Sequence, residues 1–178
     1  DWVAHLEVQV PMGRTWYNLT TDPAGDVYFA CSYAFTPTGD VDAGPGTAIV
    51  PALVGTHDAL LVAYTQSGDF KWFTTINGND INPNVDGGRD VVANHNTVFW
   101  SGQFGDSNVD FDPGPGTFLM SAAGAMDAFV ASFESRYGIF QGAGRIGGST
   151  ADIAYAVTLA GECDPVLGGV TQGTVDYD

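Results

Sequence analysis

Val27-Tyr28-Phe29-Ala30-Cys31-Ser32-Tyr33 is answered 71 residues later by Val98-Phe99-Trp100-Ser101-Gly102-Gln103-Phe104. Working outward from that pair, three more blocks keep their order and spacing. Val41-Asp42-Ala43, followed by Gly44-Pro45-Gly46-Thr47, matches Val109-Asp110-Phe111, followed by Gly114-Pro115-Gly116-Thr117, with the glycines 70 residues apart. Asp58-Ala59-Leu60-Leu61-Val62-Ala63-Tyr64 matches Asp127-Ala128-Phe129-Val130-Ala131-Ser132-Phe133 at a shift of 69. Gly68-Asp69-Phe70 through Ile76-Asn77-Gly78 matches Gly138-Ile139-Phe140 through Ile146-Gly147-Gly148 at a shift of 70. Repetition at a fixed period marks a repeat architecture, in which each unit buries its apolar faces on its neighbours.

Each unit reads as four strands. The first lies near Trp16–Thr20 in one copy and Asp90–Ala93 in the next; Val27–Tyr33, Asp58–Tyr64 and Phe70–Ile76 supply the others. Alternation puts Val27, Phe29, Cys31 and Tyr33 on one face of the second strand and Tyr28, Ala30 and Ser32 on the other. Both faces are largely apolar, as in a sheet sandwiched between two others. The expected class is therefore all-β, with β-propeller-like tandem four-stranded antiparallel blades: about 2.5 repeats of about 70 residues, open at both ends. Residues 1–15 are expected to hold the last strand of a preceding blade plus a connector. Residues 16–78 and 90–148 form two full repeats around an Asx-rich loop at 79–89, and 149–178 begin a third. Asp1-Trp2-Val3-Ala4-His5-Leu6 resembles the fourth strand Lys71–Ile76, while Ala156–Ala160 and Val166–Val170 read as first and second strands.

Composition agrees. Among 178 residues, 24 glycines and 9 prolines punctuate short runs rich in Val, Phe, Tyr and Trp. No stretch of ten residues carries a helical apolar stripe, and no apolar run is long enough to span a membrane. Of 21 acidic residues only Glu7, Glu134 and Glu162 are glutamates; the rest are aspartates, which favour turns and ligate Ca²⁺. A net charge of −16 repels phosphate backbones and anionic lipid, so neither nucleic acid nor a membrane is an expected partner. Cys31 and Cys163 are too few for a disulfide framework and are expected as separate thiols. The start at Asp1, without a leader pattern, predicts a processed or fragmentary chain. Asn18-Leu19-Thr20 matches a glycosylation sequon.

Asp26-Val27-Tyr28-Phe29, Val109-Asp110-Phe111-Asp112-Pro113-Gly114-Pro115-Gly116-Thr117, Ser121-Ala122-Ala123-Gly124, Asp127–Ala131 and Ile146-Gly147-Gly148 resemble the bacterial seven-bladed-propeller-type repeat, the SBBP repeat. The resemblance covers nearly the whole chain and is strongest over 98–148. It implies a secreted or surface-exposed bacterial protein in which the repeats are non-catalytic modules. Copy one departs from the pattern, with Ala43 standing where Phe111 stands and nothing matching Asp112 and Pro113.

Two constellations are candidate cation sites. In Asn82-Pro83-Asn84-Val85-Asp86-Gly87-Gly88-Arg89-Asp90, oxygen side chains fall at positions 1, 3, 5 and 9, with the Gly88 carbonyl at position 7. Asn82, Asn84, Asp86, Gly88 and Asp90 are thus candidate ligands of Ca²⁺, which prefers six to eight oxygens around a tight glycine turn. An Asx-rich connector between blades needs no metal. The second constellation is the repeated Asp-x-Asp: Asp40/Asp42, Asp110/Asp112 and Asp176/Asp178. Each pair either shares a cation, with Asp110 and Asp112 as ligands, or caps the turn that follows. Gly142–Gly147 fits G-x-G-x-x-G but falls in a fourth strand without the helix that dinucleotide binding needs. His5, His57 and His95 have no zinc spacing, and no nucleophile elbow is present. Trp2, Trp16, Trp72 and Trp100 either stack on sugars or fill the space between blades.

The expected function is a non-catalytic extracellular or cell-surface structural and interaction module. Its partners would be further repeats or other copies of itself joined by strand or blade complementation. A calcium-dependent glycan-binding module, with an extracellular glycan or protein as partner, is the alternative.

Overall fold

A computed structural model describes residues 17–33, 39–51, 57–76, 78 and 86–176. The expected strand at Asp1–Leu6, together with Trp16, Asn82, Asn84 and Asp178, lies outside the described residues, as does the side chain of Asp176.

The architecture is all-β, and no helix occurs among the described residues. Strands β1 (Tyr17–Thr21), β2 (Val27–Tyr33), β5 (Asp58–Tyr64) and β6 (Phe70–Ile76) make an antiparallel sheet in the order β1-β2-β5-β6. Strands β7 (Gly87–Ala93), β8 (Thr97–Phe104), β11 (Asp127–Glu134) and β12 (Phe140–Gly148) make the second in the same order, and β15 (Val175–Asp176) adds to the free side of β12. Strands β13 (Ile153–Ala160) and β14 (Asp164–Val170) pair as the start of a third. Between its second and third strands each full sheet extrudes a small hairpin, β3 (Gly39–Asp40) with β4 (Ile49–Val50) and β9 (Val109–Asp110) with β10 (Leu119–Met120).

The two full sheets share one register. Tyr33 faces Asp58 as Phe104 faces Asp127, and Ala59 faces Ile76 as Ala128 faces Ile146. Even the irregularity recurs, between Ala63 and Tyr64 in β5 and between Ser132 and Phe133 in β11. Two of the first strands share a bulge, at Gly88/Asp90 in β7 and Ala154/Ala156 in β13, whereas β1 pairs with β2 without one. A bulge re-aims the side chains beyond it, so its recurrence preserves which residues meet the neighbouring sheet.

Two expectations are corrected. The strand predicted to start at Asp90 starts at Gly87, so the last three residues of the expected loop belong to β7. The bulge at Arg89 breaks the alternation that would have signalled it. The hairpins also align differently. Val41 N donates to Ala48 O at 2.9 Å, and Phe111 N to Phe118 O at 3.0 Å. The counterpart of Phe111 is therefore Val41, not Ala43, and the counterpart of Asp112 is Asp42. Copy one keeps the pattern through a smaller buried residue.

Alternation along β2 divides the core as expected. Tyr28, Ala30, Leu61, Ala63 and Trp72 on one face of the first sheet share a cluster with Trp100, Phe129 and Phe133 of the second. Cys31, Tyr33, Leu60 and Tyr64 occupy the opposite face, under Val41 and Val50 of the hairpin. Trp100 and Phe104 are the second sheet's counterparts of Phe29 and Tyr33, so unlike faces meet: the hairpin-side face of one sheet lies on the other face of its predecessor. Trp72 and Phe133 meet across this joint with ring centroids 6.2 Å apart, and Trp100 meets Phe129 edge-on at 5.4 Å. The next joint follows the same rule, with β13 against β7 and β8 as β7 lies against β1 and β2.

Candidate functional site

Aspartates do the same local work in each copy. The Asp40 Oδ1 accepts from Asp42 N at 3.0 Å and Ala48 N at 2.9 Å, and the Asp110 Oδ1 accepts from Asp112 N at 3.1 Å and Phe118 N at 2.9 Å. One residue pair further on, Gly44 N donates to Asp42 at 2.7 Å and Gly114 N to Asp112 at 2.8 Å. A short carboxylate that satisfies two backbone N–H groups across a turn replaces the ladder bonds the loop cannot make. Asp110 and Asp112 thus cap the turn, one of the two roles open to them. Tyr64 adds a tie in the first copy, its hydroxyl donating to Val41 O at 2.6 Å.

A second group of aspartates sits where sheets join. Asp90, in β7, accepts from Asn18 Nδ2 of β1 at 2.5 Å and from Val157 N of β13 at 2.7 Å, besides Val91 N at 2.9 Å. One buried carboxylate thus fastens the first strands of three successive repeats. The Asn18 amide of the sequon is engaged here. Beside it, Arg89 donates from Nε to Gln103 Oε1 at 2.6 Å and lies 4.8 Å over the ring of Tyr155, its counterpart in the next sheet.

Asp152 closes the second joint, accepting from Gly148 N at the end of β12 and from Gln172 N beyond β14, both at 2.9 Å. Asp86 occupies the corresponding place one repeat earlier: Gly105 N donates to its Oδ1 at 2.8 Å, and Gly78 lies against its other oxygen. These two clasps precede the first strands at the same offset, Asp86 five residues before Val91 and Asp152 five before Val157. That spacing was the available signal in the sequence.

Of the candidate calcium ligands, Asn82 and Asn84 lie outside the described residues, and Asp86, Gly88 and Asp90 make separate contacts. Asp86 clasps the preceding sheet, Gly88 runs within β7 against the Trp100 indole, and the Asp90 carboxylate is turned into the joint. Among the described residues no three His, Cys, Asp or Glu side chains gather into a metal-holding group. Asp127, buried at the start of β11, pairs with Arg145 at 2.5 Å and accepts from Ala123 N at 2.8 Å.

Burial holds one thiol, three phenols and one imidazole toward their neutral forms. Burial pushes the Cys31 thiol up to about 12, while Cys163 is exposed in the β13–β14 turn and also free. Burial raises the hydroxyls of Tyr28, Tyr33 and Tyr64, reinforced by the charges of Asp22, Asp58 and Asp42 respectively. Desolvation lowers His57 below its ordinary value. Trp72 and Trp100 fill the joint and present no sugar-binding face. Gly142–Gly147 lies within β12, with no helix after it. No family model, curated protein or solved structure matches the chain.

Proposed function

We propose that the chain is a non-catalytic structural and interaction module, a run of β-propeller-type blades from a secreted or surface-exposed bacterial repeat protein. The observation that carries this reading is Asp90, whose carboxylate joins β1, β7 and β13. First strands brought side by side in succession are what blades set radially around an axis require. The resemblance to SBBP repeats points the same way. Supporting it, the aspartates of the turns and joints accept backbone N–H groups, and Cys31 and three tyrosines are driven away from ionisation, so they are not poised as nucleophiles or bases. The natural partners of such a module are further repeats or other copies of itself.

Scattering and electron microscopy of the native protein, with its intact mass, test the proposal. The expected result is an arc or ring of radially set sheets. A string of independently moving sheets would sink it, and turnover of a peptide, ester, glycoside or phosphoester probe would remove its non-catalytic part.

A further inference from the structure

The β11–β12 turn, Glu134-Ser135-Arg136-Tyr137-Gly138-Ile139, closes in the same way as the β5–β6 turn, Thr65-Gln66-Ser67-Gly68-Asp69. Glu134 N donates to Ile139 O and Thr65 N to Asp69 O, both at 2.8 Å; Gly138 N donates to Glu134 O and Gly68 N to Thr65 O, both at 2.9 Å. Tyr137 and Ile139 therefore stand where Ser67 and Asp69 stand. The first turn is polar and satisfies itself, with Ser67 Oγ donating to Asp69 Oδ2 at 2.6 Å and Asp69 N to Thr65 Oγ1 at 3.1 Å. The second exposes Tyr137 at 62% and Ile139 at 61%, and the Arg136 guanidinium lies 4.9 Å over the Tyr137 ring. Turn geometry does not ask for these residues, because serine and aspartate make the same closure one repeat earlier. Nor does a following sheet bury such a tip: Gln66, Ser67 and Asp69 stay exposed although the second sheet is packed on the first.

The tip is held from three sides. Ser135 N donates to Asn96 O at 2.9 Å and Ser135 Oγ to His95 O at 3.1 Å, which ties it to the β7–β8 turn. Ser135 O accepts from Trp72 Nε1 at 3.1 Å and from the Tyr28 hydroxyl at 3.3 Å, both in the first sheet. Within the turn, Glu134 Oε2 accepts from Tyr137 N at 2.7 Å. A loop already fixed in place gives up little freedom when it binds. Tyrosine and arginine are also the side chains that dominate binding hot spots.

Charge says what covers it. A net charge of −16 opposes contact between copies wherever acidic side chains meet. At this turn Glu134 and Arg136 cancel, and among the described residues Arg136 makes no ion pair. A two-fold axis through the tip sets each Arg136 against Glu134 of the second copy and gathers Tyr137 and Ile139 from both copies between them. That is the self-complementarity an isologous contact requires. The β5–β6 turn cannot do the same, since Asp69 would meet Asp69. We infer that the β11–β12 tip is a self-docking surface whose occupant is the same tip of a second copy, with Tyr137 and Ile139 as its apolar centre and two Arg136–Glu134 pairs around it. A contact confined to one turn belongs to the weak, transient class.

Sedimentation of the full chain over a wide concentration range tests the inference. The expected result is monomer–dimer association that Tyr137→Ser combined with Ile139→Asp weakens at least about tenfold, near 1.4 kcal/mol. These are the residues of the β5–β6 turn, so the turn still closes, and this variant decides the matter even if Glu134→Arg, which removes the cap on Tyr137 N, unfolds the tip. Glu134→Arg alone and Arg136→Glu alone should each abolish association by setting like charges together. An equal mixture of the two should restore it, because each supplies the charge the other needs. A chain monomeric at every concentration, association unchanged by Tyr137→Ser with Ile139→Asp, or a mixture of folded charge variants that stays monomeric would overturn the inference. It deepens the reading of the chain as a module that meets copies of itself and rests on that reading. Scattering separates the two: a monomer with radially set sheets refutes the self-docking alone, whereas independently moving sheets refute the stacking as well.

Discussion

Asp90→Ala would leave the buried Val157 N–H without its acceptor, while the exposed Asn18 amide could turn to water. One buried orphaned donor costs about 1–3 kcal/mol, so the variant should lose an amount in that range in urea denaturation. Asp90→Asn, which keeps an acceptor oxygen, should recover part of the loss. The tyrosines make a second residue-scale prediction. Tyr28, Tyr33 and Tyr64 have raised folded-state values, so folding favours their neutral form. Below the ordinary tyrosine value of about 10 that contribution is fully present; as pH rises above it the unfolded chain releases protons first, and stability falls. Tyrosinate absorbance should show these three ionising only together with unfolding. At this scale the turn aspartates were legible, because an Asx turn is local. The role of Asp90 was not, because its partners lie 72 and 67 residues away along the chain.

Strands with four or more alternating apolar residues announced themselves, and β2, β5, β6, β8 and β11 fall where the blocks of the repeat put them. The hairpin strands β3, β4, β9 and β10 have two residues each, too few for alternation to register, and β7 is interrupted by its bulge. Turns between strands are also where sheets lock together. Gly138, in the β11–β12 turn, has φ +68°, and a Cβ there would fall 2.6 Å from the Trp72 ring of the first sheet. The neighbouring Ser135 carbonyl accepts from Trp72 Nε1 at 3.1 Å. Gly138→Ala should therefore cost about 2 kcal/mol or more by combining backbone strain with a clash. Gly142→Ala, in β12 with nothing within 4 Å of its added carbon, should stay within about 0.5 kcal/mol of the parent. Thermal melts of the pair would check the contrast, and equal losses would show that the turn does not bear on the joint.

The first two sheets share a single core, whereas β13–β14 contributes mainly Ala154 and Val157 to burial. Hydrogen exchange should accordingly release the amides of β14 well before those of β2, β5, β8 and β11, which are expected to exchange as one unit. Simultaneous exchange of all strands would contradict that hierarchy. The large-scale plan was legible because spacing alone exposed the repeat; the order of faces was not, since two apolar faces look alike in a sequence. That order gives the assembly a direction. Both described seams join a hairpin-side surface to its opposite, so the seams are polar, and Asp90 fastens both of them. A gene for such a protein can gain or lose whole seventy-residue units by recombination while each surviving seam still finds its complement, which leaves copy number as the easiest property for selection to adjust.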